Sequence, residues 1–106
     1  MSKIEMGSGN VYADLGITNA ADMLVKAQLA GKIAEIINRR KLTQASAAEI
    51  LRIPQPKLSN MLRGRFRGIS ETKMIDCLTR LGSDVEIVVR KEKTSRGAGH
   101  VTVVFA

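Results

Sequence analysis

Aromatic side chains are almost absent from this sequence. Tyr12, Phe66 and Phe105 are the only ones, and tryptophan does not occur. The 106 residues suggest one domain, and its core must be filled by Ala, Ile, Leu, Val and Met. That set favours small helices packed closely. The same scarcity weighs against an RNA binder, which needs platforms on which unpaired bases stack. Cysteine occurs once, at Cys77, so an internal disulfide is excluded and a reducing, cytoplasmic compartment is expected. Histidine also occurs once, at His100, without a cysteine or acid at ligand spacing, so no metal site is expected. There is no nucleophile–histidine–acid set, no Walker loop and no dinucleotide fingerprint. Neither an enzyme nor a cofactor is expected. No stretch approaches the roughly 18 apolar residues of a membrane span. Residues 1–10 lack the apolar run of a secretion signal.

Positive charge is what the chain has in excess, and its placement says more than its size. The net charge is +7. Between Arg39 and Arg67 stand Arg39, Arg40, Lys41, Arg52, Lys57, Arg63, Arg65 and Arg67, against the single acid Glu49. That segment therefore holds the whole excess. A basic block is the electrostatic footprint of a polyanion binder. Arg39, Arg40 and Lys41 have a second reading, as cations at the C-terminal end of a helix, where the dipole favours them.

The pattern predicts four helices followed by a change of period. Residues 1–10 form a flexible arm rich in glycine and serine. Thr18 or Asn19 caps a first helix running to about Arg40, with Asp22 in its first turn. Its inward stripe is Met23, Ala27, Ala30, Ala34 and Ile37, widened by Leu29, Ile33 and Ile36. Thr43 caps a short Ala-rich helix from Gln44 to Leu51. Pro54 disfavours helical geometry at Ile53 and starts a third helix, from Gln55 to about Arg63, which Gly64 ends. After a loop from Arg65 to Ile69, Ser70 caps a fourth helix, Glu71 to Leu81, with Met74, Ile75, Leu78 and Leu81 inward and Gly82 as its stop. Val85, Ile87 and Val89 then alternate with Glu86, Val88 and Arg90, and Val101, Val103 and Phe105 alternate again. An antiparallel hairpin is the simplest pairing. The fold class is mainly α, a helical bundle over residues 11–82, with a C-terminal β-hairpin over residues 83–106. A lone hairpin is marginal in water, so the second copy of a homodimer is one way to cover it.

Two short helices with a tight connection, flanked by packing helices, make a helix-turn-helix from about Thr43 to Gly64. Ala47 and Ala48 are small enough for a close crossing, and Ile53 plugs the turn. Leu58, Met61 and Leu62 define the buried face of the third helix. At 100° per residue the opposite face carries Pro56, Asn60 and Arg63, flanked by Lys57 and Ser59, with Gln55 at the tip. Gln and Asn pair bidentately with adenine, and Arg or Lys with guanine. Gln44, beside Thr43 at the N-terminus of the preceding helix, suits a phosphate. Arg65 and Arg67, just past the third helix, are positioned to clamp phosphates as well.

The run L-T-Q-A-S-A-A-E-I-L-R-I-P-Q-P-K-L-S-N-M-L-R-G, Leu42 to Gly64, resembles the lambda-repressor/Cro-like (XRE) helix-turn-helix family. The resemblance implies phosphate contact at Gln44, groove contact at Gln55, Lys57, Ser59 and Asn60, and Arg63 between bases and backbone. The family often has Gly where this chain has Arg52, and a positive φ there costs a non-Gly residue about 1 kcal/mol. N-V-Y-A-D-L-G, K-A-Q-L-A and L-G-S-D-V-E-I extend the resemblance from Asn10 to about Val89. They make the chain similar to antitoxins of host-inhibition-of-growth toxin–antitoxin pairs. Such proteins repress their own operon and bind a ribonuclease toxin. The leading expectation is a homodimeric regulator, an autorepressor, that binds double-stranded DNA. The alternative is an antitoxin whose DNA binding serves autoregulation.

Overall fold

The computed structural model describes residues 16–92 and 97–106, excluding the side chains of residues 16–19. Its elements are α1 (Gly16–Arg39), α2 (Gln44–Leu51), α3 (Gln55–Leu62) and α4 (Glu71–Arg80). The starts of α2 and α4 are fixed by their own side chains. Thr43 Oγ1 accepts the Ser46 N–H at 3.0 Å, and Ser70 Oγ accepts the Lys73 N–H at 3.1 Å. Each cap satisfies a backbone donor that the helix leaves orphaned, worth about 1 kcal/mol. α3 has no side-chain cap, and proline stands in its first turn, where a missing N–H costs nothing.

All four helices end in one hydrogen-bonding pattern. A residue in the left-handed conformation donates to the carbonyl three residues back, and its successor donates to the carbonyl five residues back. In α1 these bonds are Lys41 to Asn38 and Leu42 to Ile37, both 3.0 Å; in α2 they are Arg52 to Glu49 at 3.3 Å and Ile53 to Ala48 at 3.1 Å. Gly64 and Arg65 close α3, and Gly82 and Ser83 close α4, in the same way. The left-handed residues have φ of 55° at Lys41, 57° at Arg52, 83° at Gly64 and 97° at Gly82. Two of the four stops are therefore glycine and two are basic residues held in a region that disfavours them.

The core gathers Val25, Leu29, Ala30, Ile33, Ile36 and Ile37 of α1 with Ala47, Ala48 and Leu51 of α2 and Leu58 and Met61 of α3. Met74, Cys77 and Leu78 of α4 complete it, together with Leu81, Phe66 and Ile69. α1 packs chiefly on α4, and α2 on α3. Arg40 Nη1 donates to the Leu81 carbonyl at 3.2 Å, tying the C-terminal ends of α1 and α4 together.

Three expectations need correction. α1 begins at Gly16, not after a cap at Thr18 or Asn19, so Asp22 lies beyond the first turn and pairs with Lys26 at 3.7 Å. The expected inward stripe of α1 holds from Leu29 to Ile37 and fails at its start. Met23 is 41% exposed and Ala27 is exposed, while Leu29, Ala30, Ile33, Ile36 and Ile37 are buried as expected. Val25, not Met23, continues the buried face toward the N-terminus. The C-terminal β-hairpin is absent among the described residues, and residues 83–92 and 97–106 carry no strand. Ile87 is 77% exposed and Val89 is 89% exposed, so the ribbon lacks the covered face it needs to persist. Of the described residues in these two stretches, only Val103 packs against the core, and Lys32 Nζ lies 5.4 Å from the centre of the Phe105 ring. The N-terminal arm and Tyr12 lie outside the described residues.

Candidate nucleic-acid interface

α2 and α3 are joined by Arg52, Ile53 and Pro54. Ala47 is fully buried and Ala48 nearly so, which lets the helices cross closely. Ile53, half-buried in the turn, packs against the core. Leu58 and Met61 hold α3 down, and Leu62 packs partly beside them.

With that side fixed, helical periodicity decides what faces outward. Gln55, Pro56, Asn60 and Arg63 are exposed together on α3. Ser59 is half-buried on the flank, and its Oγ accepts a hydrogen bond from Arg63 Nη2 at 2.9 Å. That bond sets the direction of a long cationic side chain along the helix. Lys57 sits on the other flank. It is half-buried and lines a shallow open hollow with Asp22, Lys26, Ser70, Glu71 and Lys73. Of the five side chains expected to face the bases, three share the exposed face, Ser59 supports one of them, and Lys57 is set aside toward α1 and α4.

The residues expected at phosphates lie at the N-terminus of α2 and in the loop after α3. Thr43 and Gln44 are exposed at the N-terminus of α2. The Thr43 hydroxyl is engaged in its cap and also donates to Ser46 Oγ at 3.0 Å, whereas the Gln44 amide has no side-chain hydrogen bond among the described residues. Arg65 and Arg67 are exposed on either side of Phe66, which is buried with Ile69. The Ile69 N–H donates to the Phe66 carbonyl at 3.0 Å, closing the loop. Phe66 and Ile69 thus anchor the segment that presents both arginines. Their apolar spacing inside a polar loop was the available signal, and a plain loop reading of Arg65 to Ile69 passes over it.

The charge excess divides between architecture and surface. Arg39 pairs with Glu35 at 3.6 Å, Arg40 binds the Leu81 carbonyl, and Lys41 closes α1. Away from the block, Lys32 pairs with Glu35 at 3.3 Å, and Lys73 and Arg80 pair with Asp76 at 3.3 and 2.8 Å. The Arg80 hydrogen bond, with help from Lys73, holds the Asp76 carboxyl below its ordinary pKa. Among the described residues, Arg52, Lys57, Arg63, Arg65 and Arg67 have no acid within ion-pair distance. Uncompensated positive charge is therefore concentrated around α3 and the loop that follows it, where it would meet a polyanion.

No described helix is long and apolar enough to cross a membrane. A helix-turn-helix domain family matches residues 11–90. Among curated proteins no match is found. A solved structure assigned by its description to the XRE family of transcriptional regulators is 39% identical, with a TM-score of 0.75, over 83% of this chain and 99% of its own. The family match takes in α1 to α4 whole, and the structural likeness reaches beyond the short motif, so the chain belongs to the helix-turn-helix domain family as an XRE-type member.

Proposed function

We propose that the protein is a sequence-specific, double-stranded-DNA-binding transcriptional regulator that acts in the cytoplasm as a homodimer and represses its own gene. The observation that carries the reading is the α3 face. Gln55, Asn60 and Arg63 stand exposed on one side of a helix whose other side is locked into the core. Inserted in a major groove, Gln55 and Asn60 suit adenine, and Arg63 suits guanine or the neighbouring backbone. Ser59 contributes by steering Arg63. Lys57, from the flank, reaches a guanine at the groove edge or a phosphate. Thr43, Gln44, Arg65 and Arg67 hold the phosphates on either side, which sets register without reading sequence. Two protomers would address half-sites about 34 Å apart, one turn of DNA.

The test is binding to a duplex from upstream of its own gene against a scrambled duplex, over a salt series. Specific autoregulation gives a preference of about 10³ or more for the upstream duplex. Equal and steeply salt-dependent binding to both reduces the protein to a backbone binder on those probes. Asn60→Ala should relax specificity at one base pair, by about 1–3 kcal/mol. Unchanged affinity and specificity in Asn60→Ala and Arg63→Ala would reject this docking.

The segments N-V-Y-A-D-L-G, K-A-Q-L-A and L-G-S-D-V-E-I support a second reading, an antitoxin that also covers a ribonuclease toxin. A neighbouring gene for a small basic ribonuclease-like protein, and co-purification of the two products, would favour it.

A further inference from the structure

Residues 84–90 read Asp-Val-Glu-Ile-Val-Val-Arg. The segment is rich in β-branched residues, yet it has no strand partner among the described residues. Ile87, Val88 and Val89 are exposed in succession, with Val85 also exposed, a run that a lone soluble chain has reason to cover. Its two ends carry opposite charges, Asp84 and Arg90, and neither forms an ion pair among the described residues. We propose that this segment pairs with the same segment of a second copy, as an antiparallel strand pair whose two-fold axis passes at Ile87. The proposal deepens the dimer suggested above by naming its interface.

The charge pattern selects the register. In a two-fold antiparallel pair, the axis residue faces its own copy, and residues at equal distances on either side face each other. With Ile87 on the axis, Val85 faces Val89 of the second copy, so one face of the ribbon is wholly apolar. On the other face Asp84 meets Arg90 of the second copy, twice by symmetry, and Glu86 meets Val88. Every other axis between Val85 and Val89 sets acid against acid. An axis at Val85 opposes Asp84 and Glu86, and one at Glu86 opposes the two copies of Glu86. An axis at Val88 gains Glu86 against Arg90 but opposes Asp84 and Glu92 and sets Lys91 across from Val85 on the apolar face, and one at Val89 opposes Glu86 and Glu92. Like charges directly opposite are destabilising and opposite charges stabilising, so of these five axes Ile87 alone gives attractive pairs with no like-charge pair.

Sedimentation of the full chain without DNA tests this. The wild-type chain should dimerise. Asp84→Arg and Arg90→Asp should each raise the dimer dissociation constant by about tenfold or more, because two attractive pairs become two repulsive ones. The double variant Asp84→Arg/Arg90→Asp should restore dimerisation, since each new charge again meets its opposite. Ile87→Cys should cross-link to its own copy on oxidation, whereas Val85→Cys alone should not; the native Cys77 is buried and takes no part. A monomer at the highest soluble concentration, a dimer indifferent to the single reversals, or a double variant that stays monomeric would overturn the proposal. Binding of the same variants to a half-site duplex separates the two readings. Half-site binding with no strand dimer overturns the interface alone, and an intact dimer that ignores upstream DNA overturns the regulator reading alone.

Discussion

At position 52, in the turn between α2 and α3, glycine should be more stable than alanine. Arg52 has φ 57° and ψ 45°, in the left-handed region. There a residue with a Cβ suffers about 1–2 kcal/mol of steric cost. Its side chain is exposed and makes no hydrogen bond among the described residues, so little packing is lost on removing it. Charge is lost, and a cation near a helix C-terminus contributes about 0.3–1 kcal/mol. The clean comparison is therefore Arg52→Gly against Arg52→Ala, since both lose the guanidinium and only alanine keeps the strain. Glycine also gives the unfolded chain more freedom, which offsets about 0.4–1 kcal/mol. The difference left in favour of glycine is roughly 0.8 kcal/mol. For a domain of this size that is about 3–6 °C in melting temperature, readable by circular dichroism on heating or in urea. Gly82→Ala provides the mirror image. Its φ is 97° in the same capping pattern, and an added Cβ would meet no atom within 4 Å. The loss should therefore come from backbone alone, with similar size and opposite sign. If Arg52→Ala proves as stable as Arg52→Gly, the left-handed turn is not strained and the reasoning fails.

Leu58 is fully buried where α3 meets the core, so Leu58→Ala should cost about 2–5 kcal/mol in urea unfolding; a loss under 1 kcal/mol would place α3 elsewhere. Cys77 is fully buried, and burial pushes its thiol pKa up. A thiol reagent should therefore label it only as fast as the domain opens, and prompt labelling of the native protein would contradict that packing. Asp76 is held below the ordinary carboxylate pKa by its hydrogen bond from Arg80. Its stabilising contribution is fully present above the unfolded-state pKa and is lost as pH falls through the lowered folded value. Asp76→Asn should accordingly lower stability at neutral pH and narrow the difference from wild type in acid. A difference that grows on acidification would reverse the sign.

The helix-turn-helix was legible because its signals are local. Thr43 and Ser70 cap the helices they precede, Pro54 limits its neighbour, and Gly64 and Gly82 supply left-handed stops, all within a few residues of what they control. The α3 face followed from periodicity once Leu58 and Met61 were placed inward. The sequence by itself therefore determined α2, α3 and α4 and the concentration of positive charge around them. Tertiary structure decided what depends on partners distant in the chain. It decided where the buried face of α1 begins, leaving Met23 and Ala27 out and taking Val25 in. It made Phe66 and Ile69 anchors of the arginine-bearing loop, and gave Arg40 a carbonyl on the far end of α4. It set Lys57, already on the flank by periodicity, at a hollow shared with α1 and α4. It also left residues 83–92 and 97–106 without strands, since alternation shows that a segment can pair, while pairing itself requires a surface to cover it.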